Sequence, residues 1–537
     1  MNTKRTLLQL LSLVFVFSTF AQSNKFTFKL GNVYELPRRT EDLSFFGNNQ
    51  DGIINLGLKK DELNIVRFNP KTLEHTSDKI IELKEVTKNF NSENVIDFGA
   101  NYYWIHSDWD KSAEKEYLYY DKIDVVNGKL SVNNQKLLEA TKIAGTGAEA
   151  NGFYSMKVTG KYTFNRDAAN KKLLVSYRLK PESRREKKTY DNIGLHVFDE
   201  NMNKLWGAEF TMPYTQAVMD NEDFSIDGFG NAYLLAKVYE SDARKEIDKS
   251  TGKPGYHFEV LKFTKGSKNI GITQVDLGDK FIKEASLIES PTHEMVVACT
   301  YSKKQAGKSK GSDGIFLATI GSDGKLLNYK VGYYNFPISE LEKFATPREK
   351  RKMEKKDYEA PNLKVRNILV EDDGSVVIVC EEYYKVVDSY TTSNGTIRYT
   401  VTYFYENILA SKIDGNGTFQ WLRKIPKMQK GTQRRGTMSF KFINDASGYY
   451  FLYLDNKKNL NLPEDKDPKY HVDGFGGQVM VAKLDKQGVL SKDILFDTRD
   501  EDIMVFPAEF SRINGNQFIG RASVKRNFYQ PVLITVN

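Results

Sequence analysis

The chain has 537 residues, and its 78 lysines and arginines against 70 aspartates and glutamates give a formal net charge of +8 at pH 7. A weakly basic balance spread over so long a chain gives no indication of a nucleic-acid partner, although it suits an anionic surface or glycan. The only cysteines are Cys299 and Cys380, which excludes a disulfide-rich scaffold. Each ends an apolar run typical of a buried strand, so we expect two buried thiols.

The first residues have the pattern of a targeting segment. Lys4 and Arg5 precede an almost wholly apolar run at 7–20, and a small residue ends it. This pattern is typical of a secretory signal peptide, and the run is short for a membrane span. We therefore predict a signal peptide at residues 1–21 and an exported mature chain at residues 22–537. The predicted location is periplasmic, or outer-membrane-associated or extracellular, with no membrane-spanning segment.

One short pattern recurs along the mature chain: an apolar strand, a tight polar turn and a second strand. In the clearest copy, Asp414, Gly415 and Gly417 form the turn. Repetition of one hairpin at a regular spacing predicts a repeat architecture. The copies lie at residues 65–75, 122–130, 195–206, 261–270, 318–327, 410–422 and 482–491.

Two further strands precede each hairpin. Runs rich in β-branched and aromatic residues between Asp, Asn and Gly turns are strand signals, and the last complete unit has them at 439–443, 449–454, 478–484 and 489–495. A four-stranded antiparallel unit repeated around a circle is a β-propeller. The sequence therefore predicts an all-β chain that forms a single β-propeller. Its units begin near Asp42, Asn94, Tyr162, Asp220, Ala285, Lys364 and Ser439.

The two ends of the chain complete the predicted ring. Three strands remain at 508–513, 517–525 and 531–536, one short of a unit. The missing strand is predicted at 26–30 or 33–36, because joining strands from both ends removes an open sheet edge. This arrangement gives eight blades, with seven as the alternative.

Strand direction separates the two faces of the predicted ring. Short turns fall on one face, whereas the second-to-third loops and the links between blades fall on the other. Long loops on a rigid scaffold are where binding usually resides. The insertions expected on that second face are 180–192, 240–256, 302–313, 335–361, 385–405 and 455–477.

Two of these insertions have predicted structure. The link at about 335–361 contains a predicted helix over 339–356, capped by Ser339 and broken or restarted at Pro347. Its charged run is typical of a solvated helix face. The segment at about 383–405 is a predicted β-ribbon around Asn394-Gly395, a strong hairpin pair. Its tyrosines suit either stacking on a sugar or partner, or ordinary packing within the ribbon.

Motifs for catalysis are missing from the sequence. There is no zinc-protease, phosphate-loop or nucleophile-elbow motif, and the six histidines lack metal-ligand spacing. We therefore predict no catalytic residue, no metal and no cofactor. His471 is the best-placed histidine, although a lone loop histidine is more often solvated. Carboxylate pairs such as Asp108 with Asp110 occur, but a glycosidase needs a set separation across a sugar that chain spacing does not fix.

The run from Asp414 to Trp421 resembles the repeat turns of bacterial envelope β-propellers. It is also loosely similar to the Asp-box of sialidase-type propellers, in which Asp, Gly and Trp lie closer together. A Ser comes shortly before the Asp of that box, whereas Lys412 and Ile413 stand here. The resemblance covers most of the mature chain and implies a fold but no activity.

These patterns favour an exported non-catalytic β-propeller that acts as a protein-binding or scaffold subunit at the bacterial outer membrane or in the periplasm. The expected partner is an envelope protein or outer-membrane complex. The alternatives are a glycan-active hydrolase or lyase, and a binder of anionic envelope polysaccharide. The candidate binding residues are Tyr390, Tyr399, Tyr403, His471, Arg184, Arg185, Lys350 and Arg351.

Overall fold

The computed structural model describes residues 25–83, 86–150, 156–181, 189–304, 308–309, 311–327, 332–354, 358–432, 438–472 and 476–537. Within these ranges the chain forms eight consecutive antiparallel sheets with a core of four strands each, and two two-stranded pairs. The predicted signal peptide lies outside the described residues. No helix in the described part is long and apolar enough to cross a membrane.

Within the four-stranded cores of sheets 1 to 7, strands that follow one another in the chain are antiparallel neighbours, so each of these cores is a meander. Sheet 1 comprises Glu41–Asn48, Gly52–Lys59, Glu62–Phe68 and His75–Glu82. Sheet 2 comprises Asn91–Asp97, Tyr102–Asp110, Lys115–Asp124 and Lys129–Ala140. Sheet 3 comprises Tyr162–Arg166, Lys172–Leu179, Tyr190–Asp199 and Lys204–Thr215. Sheet 4 comprises Met219–Ile226, Ala232–Tyr239, Tyr256–Phe263 and Gly271–Val275.

The second half of the chain repeats this plan. Sheet 5 comprises Phe281–Glu289, Met295–Ser302, Gly314–Ile320 and Gly332–Asn335. Sheet 6 comprises Leu363–Val370, Val376–Thr391, Ile397–Ile413 and Phe419–Ile425. Sheet 7 comprises Phe440–Asp445, Gly448–Asp455, Gln478–Leu484 and Leu490–Asp497. Sheet 8 comprises Ser511–Asn514, Gln517–Lys525, Phe528–Val536 and, from the other end of the chain, Phe26–Leu30.

Shorter elements decorate these sheets. The short strands are Tyr34–Glu35, Ile143–Ala144, Gly147–Ala150, Met156–Thr159, Gly311–Ser312, Ala360–Pro361, Gln429–Gly431, His471–Val472 and Met504–Val505. The helices are α1 (Ile338–Leu341) and α2 (Pro347–Met353), with 3₁₀ turns at Lys457–Asn459 and Pro507–Glu509.

The repeated turn has a simple local cause. Asp414 Oδ1 accepts hydrogen bonds from the N–H groups of Asn416 and Thr418, at 3.0 and 2.8 Å. Gly417 then adopts a φ of +80°, which glycine reaches without steric cost. Asp485 accepts the equivalent bonds in the hairpin of sheet 7. An Asp followed by a Gly therefore reverses the chain between the third and fourth strands.

The two ends of the chain meet in sheet 8. Phe26–Leu30 pairs antiparallel with the last strand, from Phe26 opposite Val536 to Leu30 opposite Val532. Tyr34–Glu35 pairs with the beginning of the same strand. Both predicted N-terminal segments thus pair with the C-terminal strand, and the last sheet has no open edge on this side.

The hydrophobic core lies between consecutive sheets. Each sheet packs against the next through a cluster of buried apolar side chains, from sheets 1 and 2 to sheets 7 and 8. Sheet 8 packs in turn against sheet 1, where Ile519 and Leu533 share a cluster with Phe45 and Phe68. The series of sheets closes on itself. Cys299 and Cys380 are free and buried, as expected.

The first strands of the sheets surround one central cavity of about 950 Å³. The first strand of each sheet is therefore innermost and the fourth is outermost. Antiparallel sheets that radiate from a central cavity and pack side by side form a β-propeller. One lining residue from each sheet, in chain order, is Ser44, Asp97, Arg166, Ser225, Glu289, Leu369, Lys441 and Arg512.

Two predicted elements differ from the structure. The helix predicted over 339–356 is two short helices, because Pro347 begins α2 as a first-turn residue and lacks the N–H that a continuing helix would need. The cap is Thr346, which forms a capping box with Glu349, and the Ser339 cap is wrong. The strand predicted at 508–513 begins only at Ser511, after a 3₁₀ turn opened by Pro507.

Candidate functional site

The second and third strands of sheet 6 continue past the sheet as a two-stranded ribbon. They pair without interruption from Tyr383 opposite Tyr405 to Thr391 opposite Ile397. Gly395, at the tip, has a φ of +81°, as tight hairpin turns require. Residues 383–405 are called the ribbon below.

The two faces of the ribbon differ in character. Side chains alternate along each strand and directly opposed residues share a face. One face, called the apolar face, carries Val387, Ile397, Tyr399 and Val401, together with the polar Lys385, Ser389 and Thr391. Val387, Ile397 and Tyr399 on this face are 53%, 57% and 69% exposed. Tyr390 lies on the opposite face, paired with Arg398, so the two outermost candidate tyrosines do not share one surface.

Tyr403 and His471 lie at the base of the ribbon. Tyr403 is half-buried and pairs with the short strand Gln429–Gly431. His471–Val472 pairs in parallel with that same strand, and the His471 N–H donates to the Met428 carbonyl at 2.8 Å. His471 is only 5% exposed. The expectation of a solvated loop histidine is wrong, because pairing with a distant strand buries it.

A buried polar network holds the ribbon base between sheets 6 and 7. The fully buried Lys427 ammonium contacts Glu381 Oε1 at 2.8 Å and Gln429 Oε1 at 3.1 Å. Glu381 Oε2 accepts from Arg366 Nε at 2.8 Å and from Ser439 Oγ at 2.9 Å. Burial lowers the pKa of Lys427, whereas Glu381 opposes that shift. A buried charge with this many partners fixes the orientation of the elements around it.

Neighbouring insertions contact one another beside the ribbon. The link 335–361 pairs with the loop 302–313 through a short two-stranded segment. It also contacts the insertion 455–477, where the Phe344 N–H donates to the Glu464 carbonyl at 2.7 Å.

The insertion 455–477 also reaches the base of the ribbon. The hydroxyls of Tyr470 and Tyr384 both donate to Glu406 Oε1, at 2.6 and 3.0 Å. These contacts place four insertions of sheets 5 to 7 on one continuous surface.

The basic candidates occupy part of this surface. Lys350 and Arg351 lie on α2, where Lys350 is half-buried and Arg351 is exposed, and Arg348 and Lys352 are exposed beside them. These four residues are called the α2 basic patch. Arg184 and Arg185 lie outside the described residues.

Two carboxylates of the central cavity bind the backbone of nearby turns. Asp97 Oδ1 accepts from the Gly99 N–H at 2.6 Å, and burial raises the pKa of Asp97. Asp167 Oδ1 accepts from the N–H groups of Lys171 and Lys172, both at 2.6 Å. Asp97 ends its strand and Asp167 directly follows one, and each side chain stabilises the turn that follows.

Glu289 joins the turns of three sheets at the same cavity. Its two oxygens accept from Gly228 N–H at 2.5 Å and Ala168 N–H at 2.6 Å, and His293 Nδ1 lies 2.6 Å from Oε1. In the described part of the chain, every carboxylate that lines the cavity accepts at least one of these backbone hydrogen bonds. Arg166 donates to the Asp97 carbonyl and to Asn170 Oδ1. These side chains therefore stabilise the turns that surround the cavity.

No group of three or more His, Cys, Asp or Glu side chains in the described ranges could hold a metal ion. The sequence did not predict the buried network around Lys427. Its one local signal is a lysine within the apolar run Ile425-Pro426-Lys427-Met428.

No protein-family model matches the chain, and no curated protein matches it. Among solved structures it is similar to the β-propeller domain of the trilobed protease from Pyrococcus furiosus, with 12% identity over 87% of this chain and 98% of that one, and a TM-score of 0.35. It is similar to the polysaccharide lyase Uly1, with 8% identity over 94% and 92% of the two chains and a TM-score of 0.39. It is also similar to an oligogalacturonate lyase from Vibrio parahaemolyticus, with 9% identity over 80% and 94% and a TM-score of 0.33. A TM-score below 0.5 does not by itself establish a shared fold, so the assignment of this chain as a β-propeller rests on its strand pairing and sheet packing.

Proposed function

We propose that this protein is an exported, non-catalytic β-propeller of eight blades that serves as a protein-binding or scaffold subunit in the periplasm or at the outer membrane of a bacterial envelope. The ribbon is its docking element, and the partner is an envelope protein or outer-membrane complex. Export rests on the signal-peptide pattern of residues 1–21.

The blade number is supported by the central cavity. Each of the eight sheets contributes its first strand to the lining, and each packs on the sheets before and after it. The N-terminal strand completes the last sheet. A seven-bladed ring would leave one of these sheets outside the circle.

The exposed apolar face of the ribbon is the observation that carries the proposal. An isolated two-stranded hairpin is marginally stable in water, yet this one stands out from the sheet with Val387, Ile397 and Tyr399 more than half exposed. The buried network at its base fixes its direction. Large aromatic side chains surrounded by apolar neighbours are typical anchors at protein interfaces. A partner that covers this face would remove apolar surface from water.

The α2 basic patch supports attraction to an acidic partner surface. Four cationic residues within one short helix create a positive field that acts over about a Debye length, near 8 Å at physiological salt. Such a field accelerates encounter and fixes orientation more than it adds affinity. The apolar face then supplies contacts that salt does not screen.

The test compares two double variants that each remove one valine and one tyrosine from the ribbon. Val387→Ser with Tyr399→Ser changes the apolar face, and Val386→Ser with Tyr390→Ser changes the opposite face. Each protein is immobilised and exposed to detergent-solubilised envelope, and the retained proteins are quantified. We expect the first variant to lose the partner that the parent and the second variant retain.

Two results would contradict the proposal. Equal recruitment by the parent and both variants would remove the ribbon from the interface. Depolymerisation of an envelope polysaccharide by the parent protein would instead favour the glycan-active alternative, and retention of that polysaccharide without turnover would favour the polysaccharide-binding alternative.

A further inference from the structure

The ribbon joins sheet 6 at a β-bulge. The register of its two strands shifts by one residue between Glu381 and Tyr383. At this point Glu406 and Asn407 of the third strand together oppose the single residue Glu382. A bulge bends the strand that carries the extra residue and turns the chain beyond it. The direction in which the ribbon leaves the sheet is therefore set at Glu382, Glu406 and Asn407, which are called the junction below.

The side chains of Glu382 and Asn407 bind each other across the junction. The Asn407 amide nitrogen donates to Glu382 Oε2 at 2.8 Å. Asn407 is 6% exposed, and its amide oxygen has no hydrogen-bond partner in the described part of the chain. Buried polar atoms are normally satisfied. The amide oxygen therefore lacks a hydrogen-bond donor at the point where Asn407 already contacts a carboxyl group.

Protonation of Glu382 supplies such a donor. A carboxylate only accepts hydrogen bonds, whereas a carboxylic acid also donates one. A carboxylic acid and a primary amide pair through two hydrogen bonds, one from the amide nitrogen and one to the amide oxygen, and an ionised carboxylate can form only the first. The proton comes from water. The neutral form of Glu382 thus joins the two strands at the bulge more firmly than the ionised form does.

Two further carboxylates face Glu382. Glu406 interacts with it within the junction, and Glu349 faces it from α2. The phenol groups of Tyr384, in the ribbon, and Tyr358, in the link before sheet 6, also interact with its charge. Like charges disfavour ionisation, so the two carboxylates make the ionised form of Glu382 unfavourable.

A cation, Lys424, faces Glu382 from the fourth strand of sheet 6. Lys424 is 5% exposed, and its ammonium donates to the Leu341 carbonyl at 2.9 Å. Burial raises the pKa of Glu382 to about 7; Glu406 and Glu349 add to the shift, whereas Lys424 and the hydrogen bond from Asn407 oppose it. Glu382 therefore changes its charge within the neutral pH range.

We propose that the junction is a pH-sensitive hinge, in which protonated Glu382 pairs with Asn407 and holds the ribbon in one direction. Loss of the proton leaves one hydrogen bond and adds repulsion from Glu406 and Glu349, so the ribbon moves over a wider range. The Lys427 network anchors the base of the ribbon, and the junction sets how far the ribbon beyond it moves. Control of docking by pH rests on the proposed function, whereas the hinge itself does not.

The experiment measures the distribution of distances between the ribbon tip and sheet 7 by time-resolved energy transfer in the full mature chain. Dyes are attached at Ser393→Cys, at the tip, and at Ser491→Cys, on the fourth strand of sheet 7, because both serines are exposed. The native Cys299 and Cys380 are buried and stay unlabelled. We expect a narrower distribution at pH 6 than at pH 8.5, with the change centred near pH 7.

Two variants separate the hinge from a general effect of pH. Glu382→Gln keeps the shape of the side chain, does not ionise and carries an amide N–H that can satisfy Asn407 Oδ1. Its distance distribution should therefore stay narrow at both pH values. Glu82→Gln makes the same change on an exposed outer strand of sheet 1, and it should show the same pH dependence as the parent.

Three results would overturn the hinge. They are a parent distribution that does not change between pH 6 and pH 8.5, a parent distribution that is broader at pH 6, and a Glu382→Gln protein that keeps the pH dependence of the parent. These measurements use the isolated protein, so they test the hinge alone. The docking role of the ribbon is decided separately, by recruitment to the two double variants of its faces.

Discussion

Replacing Phe26 by alanine should destabilise the whole propeller, because this side chain anchors the strand that joins the two ends of the chain. Phe26 is 2% exposed and belongs to the core cluster between sheets 7 and 8. Its ring meets Tyr450 edge to face, with centroids 5.1 Å apart. Truncation of a buried phenylalanine to alanine removes transfer free energy and leaves a cavity, at a cost of about 3–5 kcal/mol.

The matched control is Thr27→Ala in the same strand. Thr27 is exposed and pairs with Thr535 on the solvent side, so its loss should change stability by roughly 0.5 kcal/mol or less. Urea denaturation followed by circular dichroism gives the midpoint and slope for each protein. If the Phe26→Ala protein unfolds at the same urea concentration as the Thr27→Ala protein, the N-terminal strand does not close the ring.

Three further predictions concern buried polar groups. Lys427→Met should lower the free energy of unfolding by about 3–5 kcal/mol, measured by urea denaturation, because it leaves Glu381 buried without its ammonium partner. A decrease no larger than that caused by replacing an exposed lysine would contradict this prediction. A hydrogen bond to Glu259 raises the pKa of His257, so the stability that this histidine adds is present below pH 6.5 and is lost as the pH rises through the raised pKa. His257→Gln should therefore lower the free energy of unfolding more at pH 6 than at pH 8.5. The reverse order would refute this prediction. Burial lowers the pKa of His196 to about 4, so its NMR signals should not titrate above pH 5, and a midpoint near 6.5 would show that the ring is solvated.

Local signals made the strands and turns predictable. The strand predicted at 478–484 has these bounds in the structure. Hairpin turns were visible because Asp and Gly serve the turn itself, as at Asp414 and Gly417. Pairing of the chain ends followed from an incomplete unit at one end and a spare strand at the other.

Long-range pairing was not predictable in the same way. His471 is buried because its short strand joins Gln429–Gly431, and nothing in the sequence around His471 carries that information. The pair formed by Gly147–Ala150 and Met156–Thr159 was also missed.

The candidate site was predictable in outline only. The ribbon and its tyrosines were visible from Asn394-Gly395 and the aromatic pattern. The separation of Tyr390 and Tyr399 onto opposite faces depends on register, which the structure supplies.

The proposed role of the ribbon is to dock onto a protein through its apolar face. The most direct measurement places a photo-crosslinking amino acid at position 399 in one strain and at position 390 in another, and irradiates intact cells. We expect a discrete protein adduct from position 399, on the apolar face, and little or none from position 390, on the opposite face. Equal adducts from both positions, or none from either, would contradict it.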